Sequence, residues 1–282
     1  MIVNIDGGFL EPGEARLPVD DGGFLYGETL FETLKARERK LLLVNEHLDR
    51  LELSARLLDF PCDRKRIESA LERTLPRLTA PVSRIRLTLT RGSFEGLDYP
   101  PTKAARFVIL TFPYEEPGNP ERETGAACVF APNRRVNPLS HLPQMKRGNY
   151  ADCLYAANHA RQKGAREALF LSAQDEVLEG ATSNLFIVHD GELLTPPAGE
   201  LVLAGIMRRQ VLAAAHKMGL AVRETPIRRD ELLRAEEVFL SNCLIDILPV
   251  TRIENQPVGG GGLWRSLLAE ISGKTPAGKT PA

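Results

Sequence analysis

A single lysine, Lys146, stands in the stretch HLPQMKRGNYADC, between an apolar methionine and a turn-forming Arg-Gly-Asn-Tyr sequence. The ordinary interpretation is a solvated surface lysine, since lysine is almost never buried without a partner. The alternative is a reactive amine, because a lysine amine can form a Schiff base with a carbonyl compound. The choice depends on which other chemistry-bearing residues accompany Lys146.

Two other stretches could bind an anion. The sequence LAGIMRR places Gly205 and the backbone amides of Ile206 and Met207 at the start of a predicted helix, and NEHLDRL supplies a cation, Arg50. Unpaired N–H groups and the positive end of the helix dipole suit a phosphate. Each stretch also has an ordinary interpretation: Gly205 as a turn residue, and Arg50 in a surface ion pair with Glu46.

Polar residues also follow two apolar, strand-like runs. Glu179 precedes a Gly-Ala-Thr-Ser-Asn turn in EGATSNLF, where its carboxylate is either solvated or directed inward. Asn242 and Cys243 end the first apolar run of FLSNCLIDILPV. Polar residues at strand ends either line a site or form a turn. They are not a metal pair, because no histidine or second cysteine is near them in the sequence.

Together with Lys146, these groups meet the requirements of pyridoxal 5'-phosphate. Its aldehyde needs a lysine amine, and its phosphate needs an anion-binding helix start and an arginine. Its pyridine nitrogen needs a carboxylate, a role open to Glu179, so that the protonated ring can hold the electrons of a carbanion. The sequence therefore indicates a pyridoxal phosphate site with Lys146 as the catalytic residue.

The composition favours a small-molecule partner. Of the 282 residues 43% are hydrophobic, and 36 Lys+Arg against 37 Asp+Glu leave a net charge of −1. That balance argues against a nucleic-acid-binding or polybasic membrane surface. The four cysteines form no C-x-x-C pair, which argues against a metal site. With no basic and apolar leader and no apolar run of membrane-spanning length, we expect a cytoplasmic protein.

Local patterns predict a small N-terminal α/β domain over residues 1–112. Alternating apolar and β-branched residues predict strands at IVNI, LFETLKA, SRIRLTLT and ARFVILTF. Helical spacing predicts two helices, NEHLDRLELSARLLDF, capped by Asn45, and DRKRIESALERTLPRL. The proline- and charge-rich FPYEEPGNPERETG predicts an interdomain linker over residues 113–124.

A larger C-terminal domain is predicted over residues 125–272. Strand-like runs there alternate with helical patterns such as NYADCLYAANHARQKG and GIMRRQVLAAAHKMG, yet hairpin signals such as the Asp-Gly of HDGEL recur. This combination predicts a mixed α/β fold with a mixed sheet rather than a doubly wound parallel sheet. The end of the chain, GKTPAGKTPA (273–282), is predicted to be a disordered tail.

The order of these motifs resembles the fold-type IV pyridoxal-phosphate enzymes, the class IV aminotransferase family. The family includes branched-chain and D-amino-acid aminotransferases and 4-amino-4-deoxychorismate lyases. The resembling segments are DDGGFLYGETLFETL, NEHLDRL, MKRGNY, LEGATSNLF, LAGIMR and SNCLIDILPV, which together span roughly residues 1–258. Several motifs in order are more specific than any one of them. The resemblance implies a two-domain enzyme that works as a homodimer.

The resemblance also implies a role for each matching residue. Lys146 matches the Schiff-base lysine, which also moves a proton, and Glu179 matches the carboxylate at the pyridine nitrogen. Arg50 matches the phosphate-binding arginine. The other residues implied to bind the cofactor are Gly205, Ile206, Met207, Asn242, Cys243 and Tyr150. Those implied to bind the substrate are Tyr26, Phe31 and Arg91.

Departures from the family's patterns bear on the substrate. The RGNY after Lys146 is one residue shorter than is usual in branched-chain enzymes, and Cys243 stands where they have a threonine. FETL, GIMR and the RGS of TRGSFEGLDY resemble the lyase branch. We therefore expect a 4-amino-4-deoxychorismate lyase, which releases pyruvate and forms 4-aminobenzoate. The alternative is an aminotransferase for branched-chain or D-amino acids, and a non-catalytic cofactor-binding protein is less favoured.

Overall fold

The computed structural model describes residues 1–273, which form two compact units. Unit 1 comprises Met1–Glu116 and Met145–Tyr150, so a short segment from the middle of the chain belongs to it. Unit 2 comprises Pro117–Gln144 and the described residues from Ala151 onward. Lys146 therefore lies in unit 1.

Unit 1 is an antiparallel sheet covered by helices. Its strands are β1 (Ile2–Ile5), β2 (Gly8–Leu10), β3 (Thr29–Arg37), β4 (Lys40–Leu41), β5 (Val82–Thr90) and β6 (Arg106–Pro113). Its helices are α1 (Gly22–Leu25), α2 (Val44–Leu57) and α3 (Arg64–Thr74), with 3-10 turns at Leu75–Arg77 and Thr102–Ala104. The strands are ordered β2-β1-β6-β5-β3-β4, with β3, β5 and β6 at the centre.

One face of this sheet packs against α2 and α3. Leu30 and Leu34 of β3 share a core with Leu48 of α2 and Ile67 of α3, and each is at most 1% exposed. Burying such a side chain contributes roughly 1.5–3 kcal/mol. Successive strand residues point to opposite faces, so Phe31 lies on the face away from this core.

The start of α2 differs from the prediction, because Asn45 is not its N-cap. The helix begins at Val44, and Leu43 precedes it with a φ of 53° and no side-chain cap. A left-handed residue at this point turns the chain from β4 into the helix, whereas a capping side chain requires an extended residue. Asp63 does have that geometry, and it caps α3 by accepting from the Arg66 N–H at 3.1 Å.

The segment Met145–Tyr150 is attached to β3 by backbone hydrogen bonds. The Phe31 N–H donates to the Lys146 carbonyl at 3.0 Å, and the Gly148 N–H donates to the Thr29 carbonyl at 2.9 Å. A Cβ at Gly148 would lie 1.8 Å from Thr29 Oγ1, so this close approach requires glycine. The backbone of Lys146 is thereby held against a central strand.

Unit 2 is a mixed sheet with helices packed against it. Its helices are α4 (Asn119–Thr124), α5 (Ala151–Gln162), α6 (Ile206–Lys217), α7 (Arg229–Arg234) and α8 (Leu263–Ser272). Its first strands are β7 (Ala126–Phe130), β8 (Glu167–Leu171), β9 (Glu176–Gly180), β10 (Asn184–His189) and β11 (Glu192–Thr195). The others are β12 (Val222–Glu224), β13 (Ile227–Arg228), β14 (Glu237–Asn242), β15 (Asp246–Ile253) and β16 (Gln256–Pro257).

The strand pairing confirms the predicted mixed α/β fold. Within the described residues the order is β12-β11-β10-β14-β15-β7-β8-β9-β13, with β16 beside β15. The β7–β8, β7–β15 and β11–β12 pairs are parallel and the others are antiparallel. Asp190 and Gly191, with φ of 50° and 74°, form the tight turn between β10 and β11 that the Asp-Gly sequence predicts.

Some short helices and strands were not predicted from the sequence. Helix α4 lies inside the predicted linker, because Gly118 and a proline at the second helical position start a short helix within that charged stretch. Helix α7 and strands β12 and β13 are too short to show a clear period. The predicted tail lies, from residue 274, outside the described residues. Within residues 1–273 no helix is both long enough and apolar enough to cross a membrane.

Candidate functional site

The Lys146 amine is surrounded by aromatic rings of unit 1. Its Nζ lies 4.8 Å from the ring centroid of Phe31 and 5.9 Å from that of Tyr150, and the residue is half-buried. The two rings meet edge to face, with centroids 5.3 Å apart. The ordinary interpretation of Lys146 as a solvated surface lysine therefore does not describe this structure.

A guanidinium that the sequence reasoning missed lies on the same aromatic ring. Arg86 of β5 is stacked on Phe31, with its Cζ 3.8 Å from the ring centroid, and its Nε donates to Thr88 Oγ1 at 3.3 Å. Burial lowers the pKa of Arg86 from its ordinary value, and no carboxylate pairs with it among the described residues. The alternation of strand residues could have identified Arg86, because it places the Arg86 side chain on the face of the sheet opposite the core residue Ile85.

The position of Arg50 differs from the simple ion pair considered from the sequence. Its Nε and Nη2 donate to the two oxygens of Glu32, a buried strand residue, at 2.8 and 2.6 Å. His47 Nδ1 lies 2.7 Å from the same carboxylate. Burial alone would raise the pKa of Glu32, but Arg50 and His47 outweigh it and lower this pKa to about 2.

The other candidate substrate residues of unit 1 have structural contacts. Arg91 is 3% exposed, and its guanidinium donates to Glu28 and to the carbonyls of Asp59 and Leu58 at 2.5–3.0 Å. Tyr26 is 48% exposed, and its hydroxyl donates to a backbone carbonyl at 3.0 Å. These contacts fix the chain around Arg91, whereas the Tyr26 ring is open to solvent.

In unit 2, the Glu179 carboxylate is directed inward. The residue is 5% exposed, and its Oε2 accepts from the Leu203 N–H at 3.0 Å and from Asn184 Nδ2 at 3.3 Å. Asn184 Nδ2 also donates to the Leu203 carbonyl at 3.0 Å. The turn after β9 and the loop before α6 are therefore connected at this carboxylate.

The start of α6 has the geometry of an anion site. Gly205 is its N-cap residue with extended backbone, and Ile206 and Met207 begin the helix, so their N–H groups have no acceptor within it. A Cβ at Gly205 would lie 1.9 Å from Asn184 Oδ1, so only glycine allows this packing. Asn184 thus joins the candidate anion site to Glu179 within unit 2.

The strand-end residues Asn242 and Cys243 lie at a well-defined turn. Asn242 Oδ1 accepts from the N–H groups of Leu244 and Ile245 at 2.9 Å, and its Nδ2 donates to the Thr182 carbonyl at 3.1 Å. These contacts are those of a turn-forming asparagine. Cys243 is half-buried and unbridged.

The residues present fit pyridoxal phosphate. Unit 1 has a half-buried amine against aromatic rings, and unit 2 has an oriented carboxylate and a helix start shaped by glycine. The buried Ser241 Oγ, next to Asn242, has no hydrogen-bond partner among the described residues, as expected where a polar ligand completes a site. Within the same residues, no three His, Cys, Asp or Glu side chains are grouped to bind a metal.

Comparison with known proteins gives one consistent result. The amino-transferase class IV family matches residues 29–253. The putative branched-chain-amino-acid aminotransferase of Methanocaldococcus jannaschii is 32% identical over 92% of this chain and 90% of its own length. The D-alanine aminotransferase of Listeria monocytogenes is 29% identical over 93% of this chain and 90% of its own.

Solved structures extend this likeness to the fold. The branched-chain amino acid aminotransferase of Escherichia coli gives a TM-score of 0.89 at 26% identity, covering 96% of this chain and 93% of its own. The 4-amino-4-deoxychorismate lyase of Pseudomonas aeruginosa gives 0.86 at 29% identity, covering 96% and 98%. The chain belongs to the class IV aminotransferase family of pyridoxal-phosphate enzymes.

Proposed function

We propose that this enzyme is an amino-acid aminotransferase, which transfers an amino group to a 2-oxo acid. The sequence motifs favoured the lyase branch, but most of the relatives matched over nearly the whole chain are aminotransferases, with one lyase among them at 29% identity. We give this majority of whole-chain matches more weight than a few short motifs, because motifs of three or four residues recur by chance.

The arrangement around Lys146 supports a substrate that has both an amine and a carboxylate. Phe31 contacts the Lys146 amine and the Arg86 guanidinium on one aromatic ring. A guanidinium binds a carboxylate with two parallel hydrogen bonds. We therefore assign the substrate carboxylate to Arg86 rather than to Arg91, whose guanidinium donates to protein oxygens. Phe31 and Tyr26 complete the proposed substrate residues.

Pyridoxal phosphate, when bound, supplies an aldehyde for the substrate amine and a ring that holds the electrons of the cleaved bond. In this proposal Lys146 binds it covalently and, once released as a neutral amine, moves a proton at its Nζ. Glu179 would accept the N–H of the protonated ring, and Tyr150 would donate to the phenolic oxygen.

The phosphate is assigned to Arg50, to the amides of Ile206 and Met207 at Gly205, and to the turn that contains Asn242 and Cys243. Glu32 fixes the direction of the Arg50 guanidinium through two hydrogen bonds. The homodimer implied by the resemblance and the cytoplasmic location expected from the sequence complete the proposal.

Covalent trapping tests the assignment of Lys146. Borohydride reduction of the cofactor-loaded enzyme should leave the cofactor permanently attached to the peptide HLPQMKRGNY, at Lys146. The Lys146→Ala variant should bind the cofactor noncovalently and lose turnover, while Lys163→Ala, at an exposed position, should behave as wild type. Attachment at another lysine would refute the assignment.

Cofactor affinity tests the assignment of Arg50. Arg50→Ala should weaken cofactor binding by about tenfold or more, since a charge-assisted phosphate contact is lost. Because that change also removes the arginine partner of the buried Glu32, the double variant Arg50→Gln/Glu32→Gln is needed, with exposed Arg56→Ala as the control. Wild-type affinity in the double variant would move the phosphate away from Arg50.

A second candidate, the 4-amino-4-deoxychorismate lyase, is supported by the similar lyase structure and by the FETL and GIMR motifs. It predicts pyruvate release from aminodeoxychorismate without a 2-oxo acid. An aminotransferase instead requires both an amino donor and a 2-oxo acid for steady turnover. Omitting the 2-oxo acid from the assay therefore separates the two activities.

A further inference from the structure

A buried arginine, Arg135, connects two carboxylates in unit 2. Its Nη1 donates to Asp152 Oδ2 at 2.6 Å, and its Nη2 lies 3.3 Å from Glu179 Oε1. Nη1 also lies 2.9 Å from the sulfur of Cys153, and the guanidinium faces the ring of Phe170 at 5.3 Å. Arg135 thus contacts Oε1 of Glu179, whereas Oε2 of the same carboxylate accepts the Leu203 N–H.

The two carboxylates depend on this cation to different degrees. The side chains of Arg135 and Glu179 are 8% and 6% exposed, whereas that of Asp152 is 28% exposed. Water can therefore stabilise the charge of Asp152 but not that of Glu179. Asp152 instead fixes the guanidinium in place, and Arg135 brings a positive charge to 3.3 Å from the buried Glu179 carboxylate.

Two of the donors to Glu179 Oε2 are neutral groups, the Leu203 N–H and the Asn184 amide. Neutral donors do not suffice to keep a buried carboxyl ionised, as Glu167 of the same unit illustrates: it accepts only neutral hydrogen bonds, and burial raises its pKa. Conversely, burial alone would lower the pKa of Arg135, yet Glu179, Cys153 and Asp152 raise it.

We propose that Arg135 is a positioning residue that keeps the Glu179 carboxyl ionised and fixes its orientation, so that Glu179 accepts a proton-bearing nitrogen. This inference rests on the proposed function, which places the cofactor's ring nitrogen at Glu179. Without the cation, the proton shared between the ring nitrogen and Glu179 would move to the carboxyl oxygen, because a neutral pair is favoured in a low-dielectric site. A purely structural arginine would not affect that proton.

The ring proton can be observed directly in holoenzyme loaded with ¹⁵N-labelled pyridoxal phosphate. In wild type the ring ¹⁵N signal should stay at the protonated position across neutral pH. In Arg135→Gln it should move toward the position of unprotonated free cofactor, and Arg135→Lys should restore it. Asp152→Asn, which leaves the cation beside Glu179, should retain the protonated signal. A protonated signal in folded, loaded Arg135→Gln would overturn the inference.

Further variants separate this inference from the proposed function. Glu179→Gln should move the ¹⁵N signal as Arg135→Gln does. If Glu179→Gln has no effect, the role proposed for Glu179 is wrong. If it moves the signal and Arg135→Gln does not, only the role of Arg135 is wrong. If wild type binds no pyridoxal phosphate, the proposed function itself fails.

A measurement on wild-type protein does not depend on the folding of the Arg135 variants. Protein labelled with ¹³C at glutamate carboxyls should show the Glu179 signal, identified by its loss in Glu179→Gln, at the ionised position at neutral pH. Protonation of Glu179 near pH 7 in the cofactor-free full chain would overturn the inference.

Discussion

Glu32 in unit 1 and Glu167 in unit 2 are both buried carboxylates, at 1% and 5% exposure, yet their pKa values shift in opposite directions. Glu32 contacts the Arg50 guanidinium and His47, and its pKa falls to about 2. Glu167 accepts from the Thr182 hydroxyl and N–H, the Ser183 hydroxyl and the Ala168 N–H, and its pKa rises.

The difference shows what each carboxylate does for the molecule. Burial disfavours charge at both, and a neighbouring cation overcomes this cost, whereas neutral donors only reduce it. Glu32 is therefore half of a charge pair that orients Arg50. Glu167 instead holds the turn between β9 and β10 by hydrogen bonds. This turn directly follows β9, the strand that contains Glu179.

The largest expected effect comes from breaking the charge pair. Glu32→Gln should lower the free energy of unfolding by about 3–5 kcal/mol, because Arg50, with a side chain only 15% exposed, loses its counter-charge. Urea denaturation measures this. A loss below about 1 kcal/mol, the value of an exposed ion pair, would contradict the buried pair.

The pH dependence of Glu32 should be next in size. Because the folded-state pKa is lowered from 4.5 to about 2, its contribution is fully present above pH 4.5 and is lost as the pH falls toward 2. That contribution is about 3 kcal/mol, from the pKa difference at 1.36 kcal/mol per unit. The stability difference between wild type and Glu32→Gln should therefore shrink on acidification. A difference that is constant from pH 6 to pH 3 would be inconsistent with the lowered pKa.

Glu167→Gln should have a smaller effect, about 1–3 kcal/mol, from buried donors left without an acceptor. Its pH dependence should have the opposite sign, since a raised pKa makes the contribution of Glu167 fullest below pH 4.5 and reduces it as the pH rises through the folded value. Wild type should thus be favoured over the variant more at pH 4 than at pH 8. If stability changed with pH in the same direction for the two glutamate variants, the opposite pKa shifts of Glu32 and Glu167 would be contradicted.

The smallest expected effect comes from a single neutral donor. Thr182→Val removes the hydroxyl that donates to Glu167 at 2.7 Å, and it should lower stability by about 1 kcal/mol. Thr182→Ser keeps a hydroxyl and serves as the matched control. Equal losses in the valine and serine variants would assign the effect to packing of the methyl group rather than to the hydrogen bond.

Local periodicity predicted much of the fold. The strands β3, β5 and β6 and the helices α2, α3, α5 and α6 all follow clear spacing of apolar residues, so their existence was predictable. The ends of these elements were less predictable than their existence. The start of α2, for example, depends on the left-handed backbone of Leu43, which no sequence rule for side-chain caps anticipates. The mixed sheet followed from hairpin signals among single helices.

The candidate site was predictable only where its residues form local motifs. Lys146, Glu179 and the start of α6 stand in recognisable short sequences. The partners of these residues are distant in sequence: Glu32 lies 18 positions from Arg50, and Arg86 reaches Phe31 from another strand. Such pairings depend on strand register, which a single sequence does not specify.

We propose that the enzyme transfers an amino group through a cofactor bound at Lys146. The most direct test is the absorbance of the purified, cofactor-loaded enzyme mixed with single amino acids, including L-leucine and D-alanine. We expect that one amino acid alone converts the bound cofactor from its aldehyde form to its amine form, and that a 2-oxo acid reverses the change. No change with any amino acid, together with pyruvate release from aminodeoxychorismate, would contradict it.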